Sequence, residues 1–271
     1  MYISRKIALT LLFGWALIVT ESSFAAGETV QTQWNQVRIH VVFNNLPYRA
    51  ELQTDWGFAC LIEGPDKTVL FDTGGNGDIL LSNMQRLGFD ANAVEAVVLS
   101  HIHGDHTGGL DGFLAHNPDV TVYMPESFPV SFQREVGRLG AEIETVGGPR
   151  QLLAGVHTTG EMNHGVREQA LIIDTPNGLI VITGCAHPNV ADMTERSQAY
   201  LGRNVYLLMG GFHLGGRTDA EVKFIIKRLK ALGVSKVAPS HCTGDRAIGL
   251  FREAWKTDFV EGGLGAVISV P

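Results

Sequence analysis

Four side chains that can bind a metal ion stand within six positions of this sequence. His101, His103, Asp105 and His106 follow an apolar run at 94–99, and a glycine pair closes the segment. A buried strand that ends in a polar loop has this pattern. Imidazole nitrogen and carboxylate oxygen together suit Zn²⁺, Fe²⁺ or Mn²⁺. The segment therefore predicts a metal site at the end of a strand.

The spacing of these ligands indicates room for two ions. His101 and His103 alternate in an extended segment and so point the same way. Asp105 and His106 come after the turn and can face a second ion close to the first. A polar loop with incidental histidines is the alternative, and four ligands in six positions disfavour it.

The elements that must position this segment alternate between strands and helices. Strands are predicted at 37–43, 58–63, 68–71, 120–124, 142–146, 205–209 and 236–239, with an edge strand at 264–270. Stretches 169–174 and 179–183 predict a hairpin. Helices are predicted at 78–87 with Asp78 as its N-cap, at 132–139, at 190–201 after Asn189, and at 219–232 with a capping box of Thr218 and Glu221.

The N-terminus predicts an export signal. Arg5 and Lys6 precede an apolar run at 7–19, and Ser23 and Ala25 supply the small residues of a cleavage site. The run is shorter than the roughly 20 residues that span a bilayer. We expect a signal peptide at 1–25, one domain at 26–271, and a periplasmic or secreted protein without stable membrane association after cleavage. An uncleaved membrane anchor is the alternative.

Charge and cysteine content exclude some classes of protein. The net charge of −7 disfavours nucleic acid and anionic membrane as partners, because both need concentrated basic surface. A small-molecule substrate is the expected partner, and the oligomeric state stays open. Cys60, Cys185 and Cys242 are an odd number of cysteines in a chain with an export signal. The fold must therefore be stabilised by its core rather than by a disulfide framework.

The ligand-rich segment resembles the signature of the metallo-β-lactamase superfamily. Stretch 69–75 is similar to the family's early strand and turn, 181–184 to the strand before its bridging carboxylate, and 239–241 to its last ligand, and the resemblance covers most of the chain after about residue 37. Stretches 183–187 and 210–214 are similar to its dihydropterin–ribofuranosylaminobenzene-phosphate synthase-like branch. The resemblance implies an α/β fold, a four-layer αββα sandwich with a one- or two-metal site between the sheets.

The resemblance also implies a ligand set. His101 and His103 would bind a first ion, and Asp105, His106 and His241 a second. His187 is the preferred third ligand of the first ion, and His164 is the alternative. The expected cofactor is one or two divalent ions, Zn²⁺ before Fe²⁺ or Mn²⁺.

One position departs from the family pattern. The strand that usually ends in Gly-Asp, whose aspartate bridges the ions, ends here in Gly184-Cys185. A Cys185 thiolate could bridge or line the pocket, and it could also form a disulfide with Cys242 or stay inert beside it. We expect Cys185 at the metal with Cys242 packed next to it.

Two further residues carry roles implied by the resemblance. Asp72 would be a carboxylate that supports the ligands, with capping of the turn at 73–75 as the alternative. His213 would contact substrate or donate a proton, because a histidine in a comparable place is the proton donor of related ribonucleases.

These expectations lead to a metal-dependent hydrolase. A divalent ion lowers the pKa of a bound water to about 7, and Asp105 would orient that water. The substrate would be a small ester, lactone, thioester or phosphoester. The alternatives are a transferase of the pterin and ribofuranosylaminobenzene-phosphate synthase type, which an export signal disfavours because such substrates are cytoplasmic, and a non-catalytic metal- or ligand-binding protein.

Overall fold

The computed structural model describes residue 2 and residues 34–65 and 67–271. Gln31–Pro271 forms one unit by its internal contacts. Apart from Tyr2, the predicted signal peptide at 1–25 lies outside the described residues. Within the described ranges, no helix has both the length and the apolar character needed to cross a bilayer.

Seven strands of the described chain form the first sheet. They are β1 (Val37–Asn44), β2 (Phe58–Glu63), β3 (Thr68–Phe71), β4 (Ala96–Val98), β5 (Thr121–Pro125), β6 (Glu142–Val146) and β15 (Val267–Val270). Their order is β15-β1-β2-β3-β4-β5-β6. Strands β3 to β6 are parallel, so their carboxyl ends lie at one end of the sheet. The predicted edge strand at the end of the chain is confirmed.

Six strands of the described chain form the second sheet. They are β7 (Arg150–Leu153), β8 (Val156–Thr158), β11 (Leu171–Thr175), β12 (Gly178–Thr183), β13 (Val205–Gly211) and β14 (Lys236–Ser240). Their order is β14-β13-β12-β11-β8-β7. Strands β12, β13 and β14 are parallel and so end together. A small hairpin of β9 (Met162–His164) and β10 (Val166–Glu168) stands apart from both sheets.

Helices cover the outer faces of the two sheets. The described α-helices are α1 (Gly77–Arg86), α2 (Gly104–Thr107), α3 (Leu110–His116), α4 (Val130–Arg138), α5 (Val190–Leu201), α6 (Asp219–Ala231) and α7 (Asp245–Trp255). Short 3-10 turns lie at Ala91–Ala93, His241–Thr243 and Lys256–Asp258. Helices α1, α3 and α4 pack on the first sheet, and α5, α6 and α7 pack on the second.

The apolar side chains divide into three layers of core. Val69 and Phe71 of the first sheet meet Ile180 and Ile182 of the second in a central cluster. Leu70, between the first pair in sequence, belongs instead to the cluster under α1, α3 and α4. Successive side chains of a strand point to opposite faces, so a continuous apolar run fills two layers at once. The four-layer αββα sandwich expected from the sequence is confirmed.

Most of the predicted helices and strands are present in the structure, but some of them begin or end at different residues. Thr218 and Glu221 form the predicted capping box of α6, and β11 and β12 form the predicted hairpin. Helix α1 begins at Gly77 rather than at 78, because the Asn76 side chain accepts from the Ile79 backbone N–H and is the N-cap. The prediction of Asp78 as the cap was therefore wrong.

The carboxyl ends of several strands meet between the two sheets. Strands β3 and β4 of the first sheet and β12, β13 and β14 of the second are each followed by polar residues there. These are Asp72, Ser100 and His101 in the first sheet, and Cys185, His213 and His241 in the second. Because parallel strands bring their carboxyl ends to one edge, the potential metal ligands of both sheets lie close together there.

Candidate metal centre

The backbone at these strand ends is strained. Positive φ angles occur at Asp72 (55°), Ala186 (59°), Asn189 (91°), His213 (51°) and His241 (51°). A non-glycine residue in this conformation costs roughly 1–3 kcal/mol and persists only where its surroundings impose it. Strain of this kind gathers at functional sites, and here it follows the strands that carry the candidate residues.

His101, His103 and His187 form the first group of potential ligands. Each offers one ring nitrogen, and these atoms lie within 4.8 Å of one another. Nε2 of His101 is 3.1 Å from Nδ1 of His103. Two ring nitrogens that face each other with lone pairs repel unless a proton or a cation lies between them. The spacing therefore suits a cation.

The outer nitrogens of this group are already engaged. Nδ1 of His101 is 2.9 Å from the Ser100 hydroxyl, which itself donates to Asp72 at 2.7 Å. His101 therefore donates from Nδ1. His187 donates from Nδ1 to Oε2 of Glu168 at 2.8 Å. These bonds leave Nε2 of both histidines as the free acceptor.

Asp105, His106, Cys185 and His241 form the second group. Their ligand atoms also lie within 4.8 Å of one another. Oδ2 of Asp105 is 3.6 Å from Nε2 of His106 and 3.4 Å from Nε2 of His241. Sγ of Cys185 is 3.3 Å from Nε2 of His106. Nitrogen, oxygen and sulfur donors thus face one point.

The two histidines of the second group are oriented in the same way as those of the first. His106 donates from Nδ1 to Oδ2 of Asp72 at 2.7 Å. His241 donates from Nδ1 to Oδ1 of Asn45 at 2.7 Å. Metal-binding histidines characteristically bond their second nitrogen to a carboxylate or carbonyl, which fixes the tautomer and the ring plane.

Nε2 of His241 provides a direct test of whether a metal fits. It is buried and has no hydrogen-bond partner in the described part of the chain, although Asp105 lies 3.4 Å away. A buried polar atom without a partner costs about 1–3 kcal/mol. A divalent cation at this point would satisfy the atom, and imidazole, carboxylate and thiol are its usual protein ligands. The residues present fit the metal.

The charge states agree with metal binding. Burial lowers the pKa of His101 to about 3 and that of His106 to about 4. Both rings are therefore neutral at neutral pH, the form that binds a metal. Burial would raise the pKa of Asp105 and of Glu168, but the neighbouring histidines outweigh it and hold both pKa values well below their usual range. Burial raises the pKa of Asp72 to about 7.

Comparison with known proteins places this site in a family. The family model described as the metallo-beta-lactamase superfamily matches residues 57–241. The chain belongs to the metallo-β-lactamase superfamily. It is 32% identical, over 82% of its length and 92% of the relative, to the 7,8-dihydropterin-6-methyl-4-(β-D-ribofuranosyl)-aminobenzene-5′-phosphate synthase of Methanocaldococcus jannaschii.

Solved structures show the same fold at lower identity. A metal-dependent hydrolase of the β-lactamase superfamily matches 86% of this chain and 99% of its own, with a TM-score of 0.73 and 24% identity. A diphosphatase of the PhnP family matches 88% of this chain and 98% of its own, with a TM-score of 0.60 and 14% identity. These likenesses support the fold alone.

Within this superfamily fold, the structure separates the two candidates for the third ligand. His187 lies in the group with His101 and His103. His164 is exposed on β9 and belongs to none of the ligand groups found in the described residues. The geometry thus supports the preferred residue, and its binding of an ion stays a prediction.

Asp72 and His213 also have defined places. Asp72 accepts hydrogen bonds from the backbone N–H and hydroxyl of Ser100 and from His106. It therefore directly follows β3 and holds Ser100 and the candidate ligand His106 in place. His213 is exposed, its ring centroid is 4.5 Å from that of His187, and it forms a third possible ligand group with His187 and Cys185.

Cys185, the residue that departs from the superfamily pattern, belongs to two of the three groups of potential ligands. It is grouped with Asp105, His106 and His241, and again with His187 and His213. All three cysteines are free thiols, and Sγ of Cys242 is 3.7 Å from the Cys185 carbonyl oxygen. A hydrogen bond with Cys242 raises the pKa of Cys185, and the same bond lowers the pKa of Cys242 to about 5. The disulfide alternative is not what the structure shows.

Sequence reasoning missed Glu168, which is fully buried. Its carboxylate accepts from the backbone N–H groups of Cys185 at 2.9 Å, Ala186 at 2.8 Å and His187 at 2.9 Å, besides the His187 ring. One side chain thus holds the whole segment that carries two candidate ligands. The only sequence signal was a glutamate beside a buried strand.

We expect Cys185→Ala to lower the affinity for divalent metal by at least about tenfold, because a ligand of the second group that also lies close to His187 is lost, while Cys185→Asp retains it. Metal content after dialysis against a competing chelator measures the change. Cobalt substitution should give a thiolate-to-cobalt charge-transfer band that both variants lack. Cys60→Ala, in the core between the sheets, is the control. A charge-transfer band that survives in Cys185→Ala would contradict the assignment.

We expect Glu168→Gln to weaken metal binding by roughly 10- to 100-fold, the usual effect of altering a group that orients a ligand. Glu63→Gln is a matched control, because Glu63 also bonds a histidine, His40, at 2.7 Å but lies outside the ligand groups. Metal affinity by competition titration separates the two variants. Equal affinities, with both proteins folded by circular dichroism, would show that Glu168 does not orient the ligands.

Proposed function

We propose that this protein is a metal-dependent hydrolase that acts on a small ester, lactone, thioester or phosphoester. The observation that supports this most is that two groups of potential ligands lie side by side at the ends of parallel strands, with Cys185 of the second group also close to His187 of the first. The site is reachable from solvent, because His103 and His213 are exposed and the Asp105 side chain is 20% exposed. Oriented ligands with an open side are what hydrolytic metal sites require.

The donor set suggests how the ions would be held. His101, His103 and His187 would bind one ion, and Asp105, His106 and His241 would bind the other, with Cys185 between them. Zn²⁺ suits this mixture of nitrogen, oxygen and sulfur best, with Fe²⁺ or Mn²⁺ as alternatives. When bound, such ions supply Lewis acidity, which makes water a better nucleophile at neutral pH and stabilises negative charge on the substrate.

Asp105 is suited to orient the attacking water. The histidines around it keep its pKa low, so the carboxylate stays an acceptor at neutral pH. Its position beside the open side of the site lets it accept a hydrogen bond from water while it also serves as a ligand. This dual role needs a short, partly exposed carboxylate, and Asp105 lies in the first turn of α2 with its side chain 20% exposed.

His213 is suited to donate a proton to the leaving group. It is exposed, next to His187, and fixed by a left-handed backbone conformation. A hydrogen bond with Cys242 raises the pKa of His213. Positioned acid catalysis of this type contributes about 10²–10⁴-fold in rate.

A second candidate function is transfer rather than hydrolysis. The relative at 32% identity over 82% of this chain is named as a synthase that makes a pterin-linked ribofuranosyl-aminobenzene phosphate. That similarity supports a transferase of the same type, and its named product indicates a pterin and a phosphorylated ribosyl-aminobenzene as substrates to test. A non-catalytic metal-binding protein is the remaining alternative.

We expect Zn²⁺-reconstituted protein to hydrolyse at least one substrate of a panel of p-nitrophenyl ester, lactone, thioester and phosphodiester. Asp105→Asn and His213→Gln should each lower kcat by about 10²–10⁴-fold, because water orientation or proton donation is lost. His116→Gln, at a histidine that belongs to none of the ligand groups in the described residues, is the control.

Three outcomes of that experiment separate the candidate functions. Loss of activity on chelation and recovery on adding metal would support the hydrolase. Product formed only from a pterin and a phosphorylated ribosyl-aminobenzene would support the transferase. Metal binding without turnover in either assay would support a non-catalytic metal-binding protein.

We also propose that the protein acts outside the cytoplasm, in the periplasm or after secretion, on a small molecule rather than on nucleic acid or a membrane. The N-terminal pattern at 1–25 and the net charge of −7 support this. N-terminal sequencing of protein from its native host should find a mature chain that begins near Ala26. A soluble cytoplasmic protein that keeps Met1 would overturn the localisation.

A further inference from the structure

A cavity of about 480 Å³ opens beside the metal centre. His187 and His213 form part of its wall, and the same two histidines belong to the ligand group with Cys185. The cavity is therefore continuous with the site where the chemistry is proposed. Its volume falls in the range of roughly 300–1,000 Å³ that small-molecule sites occupy.

Apolar side chains form most of the rest of the wall. Phe224 and Ile225 line it from α6, Val190 lines it from α5, and Phe212 and Leu214 line it from the loop that follows β13. Val190, Phe212 and Leu214 are buried, but Phe224 is 63% exposed. A large aromatic ring that faces water beside a catalytic site gains contact area when a ligand covers it.

Apart from its two histidines, the polar side chains of the cavity carry no net charge. Its charged lining residues other than the histidines are Arg217 and Glu221, and they form an ion pair at 3.2 Å. Glu221 is also fixed by the capping box at the start of α6. Asn189 adds one neutral amide. An anionic group in the cavity would need Arg217 as its counter-charge, and Arg217 is already paired with Glu221. A neutral group needs no counter-charge.

We propose that this pocket binds the non-reacting part of the substrate, and that this part is a neutral aromatic group of one or two rings. The inference rests on the proposed function, since it names the substrate class of the same site. Bound there, the ring packs against Phe224 and Ile225, and the bond to be broken lies at His187 and His213. The pocket thus selects the substrate by its leaving or acyl group, while the metal centre acts on the bond.

The test compares 2-naphthyl acetate with methyl acetate on metal-loaded protein. Wild type should favour the naphthyl ester in kcat/KM, and Phe224→Ala should reduce that preference by about three- to tenfold, the worth of one aromatic contact. Phe224→Leu should recover only part of the preference. Val130→Ala, which removes an equally exposed apolar side chain on α4, should leave the ratio unchanged.

A binding measurement separates this inference from the hydrolase proposal. Binding of 2-naphthol to metal-free protein, followed by naphthol fluorescence, should weaken by a similar factor in Phe224→Ala and not in Val130→Ala. Naphthol binding that depends on Phe224, without hydrolysis of any ester, would support the proposed aromatic pocket and contradict the proposed hydrolase activity. Hydrolysis with no effect of Phe224 on preference or binding would overturn the pocket. Full recovery in Phe224→Leu would overturn the aromatic assignment.

Discussion

The structure depends on the balance of charge between the two sheets. Asp72 and Glu168 are carboxylates with no exposed surface, one on each side of the cleft. Their ion-pair partners in the described chain are histidines alone, His106 for Asp72, and His101 and His187 for Glu168. Burial keeps His101 and His106 neutral at neutral pH and raises the pKa of Asp72 to about 7, so these histidines stabilise the carboxylates by hydrogen bonds and supply little positive charge. Buried anions without compensation are costly. Divalent cations held by the inner nitrogens of the same rings would supply that charge.

The same two buried carboxylates orient the candidate ligands and stabilise the backbone at the strand ends. Asp72 joins β3 to Ser100 after β4 and to His106 in α2, so three segments of the first sheet share one carboxylate. Glu168 does the same for the segment after β12 in the second sheet. The strained φ angles at Asp72 and Ala186 lie in these segments. Hydrogen bonds to buried carboxylates are strong enough to hold a backbone in a conformation that costs roughly 1–3 kcal/mol.

The sequence predicts the parts of this site that are local and misses those that are not. Four candidate ligands stand within six positions, and the strands before His187 and His241 are strongly apolar, so their convergence follows from strand order. Glu168 and Asn45 are single polar residues whose roles arise only when distant segments meet. Helix α7 went unpredicted because Gly244 caps it without a side-chain hydrogen bond. Phe224 lies off the apolar stripe of α6, and its role depends on the neighbouring loop, which periodicity cannot show.

Cys185 stands where the family pattern has an aspartate. The two sheets approach each other closely at this position. A Cβ on Gly184 would lie 2.1 Å from the Ser100 hydroxyl and 2.9 Å from Oδ2 of Asp72, so only glycine lets the end of β12 sit against the first sheet. A Cβ on Gly211 would lie 2.7 Å from Sγ of Cys242. Gly184 therefore allows the close approach of the two sheets, and Gly211 leaves the space that Cys242 occupies beside Cys185. Cys185 reaches His106 at 3.3 Å from a backbone that Glu168 fixes. A thiolate in that place would be a softer metal ligand than a carboxylate and would donate more charge to a bound ion, which would alter the Lewis acidity of that ion.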